Sequence, residues 1–159
     1  MSEEPALTHL DDRGAARMVD VSAKPASART ARATGLVLVS AEVIALLRGP
    51  GVPKGDALAV ARIAGIMGAK RTPELVPLCH PIGITGVDVD LTVLDEGVAI
   101  AARVRTTDRT GVEMEALAAV VTAGLAVVDM VKAVDPAAVI TDVRVEEKTG
   151  GTSGDWRRS

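Results

Sequence analysis

The chain has 159 residues, 48% of them hydrophobic and only 1% aromatic, with a single Trp156, no Phe, no Tyr, and 18 basic against 21 acidic residues for a net charge of −3. A chain of this length makes one domain, and Ala, Val, Leu and Ile in such abundance fill its core without disulfides or metals. Missing aromatic platforms and a missing basic excess argue against the sheets and barrels that grip nucleic acid, so no nucleic-acid partner is expected.

Cys79 is the only cysteine, which leaves no intrachain disulfide, and the acidic start (Ser2, Glu3, Glu4, Pro5) lacks the basic-then-apolar pattern of a secretory signal. The longest uncharged apolar run, Ala116 to Val128, is shorter than the ~17–25 residues of a membrane span. A cytoplasmic protein without a membrane segment is the expectation.

Residues 1–17 mix charges with Gly and Pro without a period and read as a flexible arm. A single domain, 18–148, follows. Thr34–Val39 reads as a strand; Ser40 then caps a short helix, Ala41–Leu47, which Gly49, Pro50 and Gly51 end. Asp56 caps the next helix, which runs to about Arg71 and carries many Ala and Gly residues, until Pro73 stops it. Val87–Val93 alternates apolar with polar residues, and Val98–Val104 does so again after the Glu96–Gly97 turn, predicting a hairpin. Gly111–Val134 is a long helix, apolar on nearly every side and therefore buried. Val139 to about Val145 is the last strand, and 149–159 is a Gly-rich flexible tail. With one helix set aside as extra, the order is βαββαβ: an α+β, ferredoxin-like sandwich whose helices pack on one face of an antiparallel sheet.

Four groups of residues carry possible chemistry. Prolines bracket Leu78-Cys79-His80 and stiffen the loop, which suits either a site or a rigid turn whose histidine bonds a backbone carbonyl. With two histidines and one cysteine in the chain, no metal site is expected. A Cys79 nucleophile with His80 as base is disfavoured, because neighbours on an extended chain point to opposite faces. Glu113-Met114-Glu115 opens the long helix, where carboxylates complement the helix dipole with or without a ligand. Asp129 and Lys132 share a face near the other end, as a buried structural bridge or as a tuned acid and base. The fourth group is cationic. Lys54 stands beside a helix amino terminus, which disfavours its charge, while Arg29, Lys70 and Lys148 offer contacts for an anion. Along the long helix Glu115 and Asp129 lie about 21 Å apart, too far for one small ligand. If both ends of the helix serve a site, each contributes to a different one, shared with a neighbouring subunit across an interface.

Together, Lys54-Gly55-Asp56, Ala61 to Ile66, Ala69 to Thr72, Pro77 to Pro81, Gly111 to Ala116, Asp129-Met130 and Lys132-Ala133 resemble the cyclic pyranopterin monophosphate synthase family, the C proteins of molybdenum-cofactor biosynthesis. Met18 to Ser22 fits as well, so the resemblance covers nearly the whole chain. It implies a homohexamer, a trimer of dimers, with sites at subunit interfaces and no cofactor. The implied reaction converts a cyclic dihydro-GTP intermediate to cyclic pyranopterin monophosphate and releases pyrophosphate. By the same resemblance Asp129 is the catalytic acid/base with Lys54 and Lys132 as proton-transfer partners. Leu78, Cys79, His80, Glu113, Met114 and Glu115 then bind substrate, and Arg29, Lys70 and Lys148 contact its phosphates or ring. The rival reading is a non-catalytic nucleotide-binding or sensor module of the same fold.

Overall fold

A computed structural model describes residues 8–159. The first seven residues of the expected arm lie outside that range. β1 (Ser27–Leu38) begins well before Thr34. Its first half packs Ala31 and Ala33 inward, residues too small to print a hydrophobic alternation, and is held instead by pairing with β3 along its whole length. Ser40 caps α1 (Ala41–Arg48) by accepting from Val43 N at 3.3 Å, and Asp56 caps α2 (Ala57–Lys70) by accepting from Ala59 N at 3.0 Å. Pro73 does not end helical structure. It lies in the first turn of a further short helix, α3 (Thr72–Leu75), where no N–H is needed. β2 (Ile84–Val93) and β3 (Gly97–Asp108) form the expected hairpin, closed by Leu94 N donating to Gly97 O at 2.7 Å. α4 (Glu113–Val131) and β4 (Val139–Thr149) follow.

The five strands form one antiparallel sheet in the order β2-β3-β1-β4-β5, with the helices on one face, an α+β fold. Ala31, Ala33 and Val37 from β1, and Val98, Ile100, Ala102 and Val104 from β3, meet Ala116, Ala119, Val120, Ala123 and Val127 of α4, all buried. A core this poor in large side chains works by close approach. A Cβ at Gly65 of α2 would stand 3.0 Å from the Ala119 carbonyl of α4, tighter than an ordinary contact, and one at Gly68 would stand 2.7 Å from Thr122 Cβ, so the two glycines allow this close approach.

By length and mean hydropathy, 19 residues at 1.8, α4 passes for a membrane span, although the uncharged run within it is shorter. Half of that window is buried inside the protein, and packing on β1, β3, β4 and α2 accounts for its apolar character.

Both chain ends carry local structure that composition hides. Asp11 accepts from Arg13 N at 2.9 Å and Ala15 N at 2.8 Å, folding residues 8–17 into a turn bridged by Leu10 and Ala16. Thr149 closes β4 instead of opening the tail. Beyond it, Gly150 and Gly151 at φ of 85° and 83° reverse the chain, and β5 (Trp156–Arg157) pairs back onto Lys148 and Glu147 of β4.

Candidate active site

A 460 Å³ cavity opens at the amino end of α4, walled by Leu78, Cys79, His80, Glu113, Met114 and Glu115. These are all six residues expected to bind substrate around the ring, and the loop between Pro77 and Pro81 places the first three. His80 Nε2 lies 2.6 Å from the Val19 carbonyl, which only accepts, so Nε2 carries the hydrogen in that bond. The histidine thus bonds a backbone carbonyl and also lines the cavity. Burial raises the Cys79 thiol, and the nearby Glu115 raises it further, which keeps the sulfur protonated and unsuited to nucleophilic attack.

Glu115 is 2% exposed. Burial pushes its carboxyl up to about 7, with its own backbone N–H pulling the other way and the Glu113 charge adding to the rise. A helix-dipole role alone does not require a carboxyl to be buried, so the site reading is the stronger of the two. The unfolded chain releases this proton near 4.5 and the folded one near 7, so the unfolded state binds fewer protons between those values. The contribution of Glu115 to stability is therefore fully present below about 4.5 and is lost as pH rises to about 7. Urea midpoints measured across that window should decline for the native chain and flatten for Glu115→Gln.

A second chamber of 230 Å³ adjoins the first and shares Lys24, Thr110, Gly111 and Glu113 with it. Arg29 and Lys148 enter here. Arg29 donates to the carbonyls of Asp108 at 3.0 Å and Arg109 at 3.2 Å; Lys148 pairs with Glu113 at 3.3 Å and donates to Ser153 Oγ at 3.1 Å. Lys70 is exposed at the end of α2 and lines neither chamber. Sequence reasoning missed Lys24, Arg109 and the cavity-lining Thr8, His9, Val19 and Val21. They lie in segments without hydrophobic period, and only the fit of Met18 to Ser22 to the family pointed there.

At the carboxyl end of α4, Asp129 Oδ1 receives two ammonium groups, Lys132 Nζ at 2.7 Å and Lys54 Nζ at 3.1 Å. Hydrogen bonds from Lys132 and then Lys54 hold its carboxyl below the ordinary carboxylate range, so it is ionised at neutral pH. The three side chains are 56%, 57% and 40% exposed, so the cluster is not a buried bridge within the single chain. Lys54 is fixed by the loop that Val52 and Gly55 bridge, just ahead of the α2 cap. Apart from Lys70, the expected residues thus fall into two clusters at opposite ends of one helix, about 21 Å apart along its axis.

A ligand-sized cavity with a buried carboxyl and a cationic annex, on the same helix as an exposed acid–base cluster, defines an α+β small-molecule site. The MoaC family model matches residues 18–151. Three relatives extend the match. A cyclic pyranopterin monophosphate synthase from Streptomyces avermitilis is 73% identical over 153 residues, covering 96% of this chain and 90% of the relative. Another from a Nocardioides species is 69% identical over 162 residues, with 99% of each chain covered. A cyclic pyranopterin monophosphate synthase 2 from Mycobacterium tuberculosis is 59% identical over 152 residues, covering 96% and 91%. The chain belongs to the MoaC family.

Proposed function

We propose that this chain is a cytoplasmic lyase that converts the cyclic dihydro-GTP intermediate to cyclic pyranopterin monophosphate with release of pyrophosphate, an early step of molybdenum-cofactor biosynthesis. The observation that carries the proposal is the division of α4: a ring-sized cavity at one end and the Lys54–Asp129–Lys132 cluster at the other. Each is half of a site. Apolar side chains left in solvent on α2 and α4, Ile63 at 60% and Leu125 at 57% exposure, favour assembly, and in a homohexamer built as a trimer of dimers the cavity of one subunit faces the cluster of another.

The chemistry available fits ring rearrangement and phosphate displacement. Ionised Asp129 accepts a proton from substrate, and the ammonium groups of Lys54 and Lys132 return one, so proton movement is confined to a single shared oxygen. Glu113 accepts hydrogen bonds from the guanine edge, while Glu115, near half-protonation at neutral pH, both donates and accepts. For pyrophosphate to leave, a substrate hydroxyl oxygen bonds the innermost phosphorus as the bond from that phosphorus to the bridging oxygen breaks. The electron pair departs on pyrophosphate, and the hydroxyl proton passes to Asp129. Without Phe or Tyr, the flat ring is held by its edges and by Leu78 and Met114.

A sensor needs the cavity but has no use for a paired acid–base cluster, which is why the enzyme reading is preferred. Purified protein incubated with the cyclic dihydro-GTP intermediate should release pyrophosphate and form cyclic pyranopterin monophosphate. Intact substrate after incubation with folded, assembled protein would establish the sensor instead.

A further inference from the structure

A strap from Thr8 to Lys24, in which no residue is buried, runs along one side of the ring cavity and supplies Thr8, His9, Val19, Val21 and Lys24 to its wall. Three contacts hold its course. Arg17 N donates to His9 O at 2.8 Å, Leu10 bridges Ala16, and His80 Nε2 donates to Val19 O at 2.6 Å. The strap brings no core residue of its own, so its consequence is what it adds to the cavity wall.

What the wall lacks without it is a donor for the ring. One edge of a guanine-derived base carries N–H groups and a carbonyl oxygen side by side; Glu113 and Glu115 suit the N–H groups, and the oxygen requires an N–H or O–H. Most candidates fail. His80 gives its Nε2 hydrogen to Val19 O, and the Nδ1 of the neutral ring only accepts. Cys79 offers a thiol, a weak donor, and Glu115 donates only in its protonated half near neutral pH. Lys24 and Thr110 line both chambers and so stand at the seam with the annex. Thr8 and His9 line the ring cavity alone, and His9, anchored at its carbonyl by Arg17, carries the planar N–H donor. Its imidazole makes no hydrogen bond or ion pair among the described residues.

Building on the proposed reaction, we infer that His9 is a specificity-determining residue, donating an imidazole N–H to the carbonyl oxygen of the guanine-derived base while the α4 carboxylates accept from the N–H groups beside it. The cavity then reads both halves of that edge. A base with an amino group in place of the oxygen sets donor against donor at His9 and is rejected.

Calorimetric titration of the full-length protein with GTP and with 6-thioguanosine triphosphate tests the assignment without requiring turnover. The second nucleotide keeps every N–H group of the base and replaces the carbonyl oxygen by sulfur, a weak acceptor. His9→Ala should weaken GTP binding roughly 5-fold, the loss of one neutral hydrogen bond, and scarcely change binding of the thio nucleotide. His9→Gln, which keeps an N–H donor, should recover part of the loss, and Arg48→Ala, on α1 and paired with Asp95, should leave both affinities unchanged. Equal weakening of the two nucleotides by His9→Ala, or weakening of neither, overturns the assignment, as does failure of the native chain to bind GTP. The expected pattern in a protein that leaves cyclic dihydro-GTP intact would keep His9 as the reader of the ring and remove the proposed reaction.

Discussion

Asp129→Asn should lower turnover by about 10²–10⁴-fold, the range for loss of a positioned proton-transfer group, while leaving fold and assembly in place. Asparagine keeps the shape of the side chain and can still accept from one ammonium. It cannot carry the charge that both Lys54 and Lys132 now share at Oδ1, nor take up a proton. The cluster is exposed in the single chain, so its ion pairs lend little to the stability of the subunit. Lys54→Ala should behave alike, because it removes one of the two ammonium groups and no core contact. Steady-state assay of pyrophosphate release, with the oligomer and its urea midpoint checked in parallel, separates the outcomes. Dissociation of either variant would mark the residue as structural, and near-normal turnover would remove Asp129 from the chemistry.

Much of the architecture was readable from periodicity and caps. Ser40 and Asp56 cap the helices they were expected to cap, and the β2–β3 hairpin and α4 stand where alternation and continuous hydropathy put them. What periodicity could not reveal depends on partners elsewhere in the chain. The first half of β1 is strand because β3 and β4 flank it, not because Ser27 to Ala33 prefers that form. β5 exists because two glycines turn the tail back onto β4. α3 was hidden by reading Pro73 as a stop when it also serves as a start.

The site divides in the same way. Of the candidate residues named from sequence, the structure gathers most at the two ends of α4. Burial was not legible: nothing in Glu113-Met114-Glu115 says which carboxyl turns inward, and helix phase alone made Asp129 look as enclosed as its apolar neighbours. Nor was the place of Lys24 in the cavity wall legible, since it precedes Pro25 in a stretch without period. The scarcity of aromatics, at first an argument against nucleic acid, also fits the close α2–α4 contact through small residues.

In the proposed assembly each working site is made from two subunits, the cavity of one and the cluster of the other. Subunit mixing tests it most directly. Glu115→Ala disables the cavity half and Asp129→Asn the cluster half, so each variant alone should be nearly inactive. When the two are co-assembled in equal amounts, random pairing places an intact cavity against an intact cluster in about a quarter of the sites. Pyrophosphate release should therefore rise from near zero to about that fraction of the native rate. A mixture that stays as inactive as its components, although mass spectrometry shows both variants within the same oligomers, would contradict the account and place the whole site within one subunit.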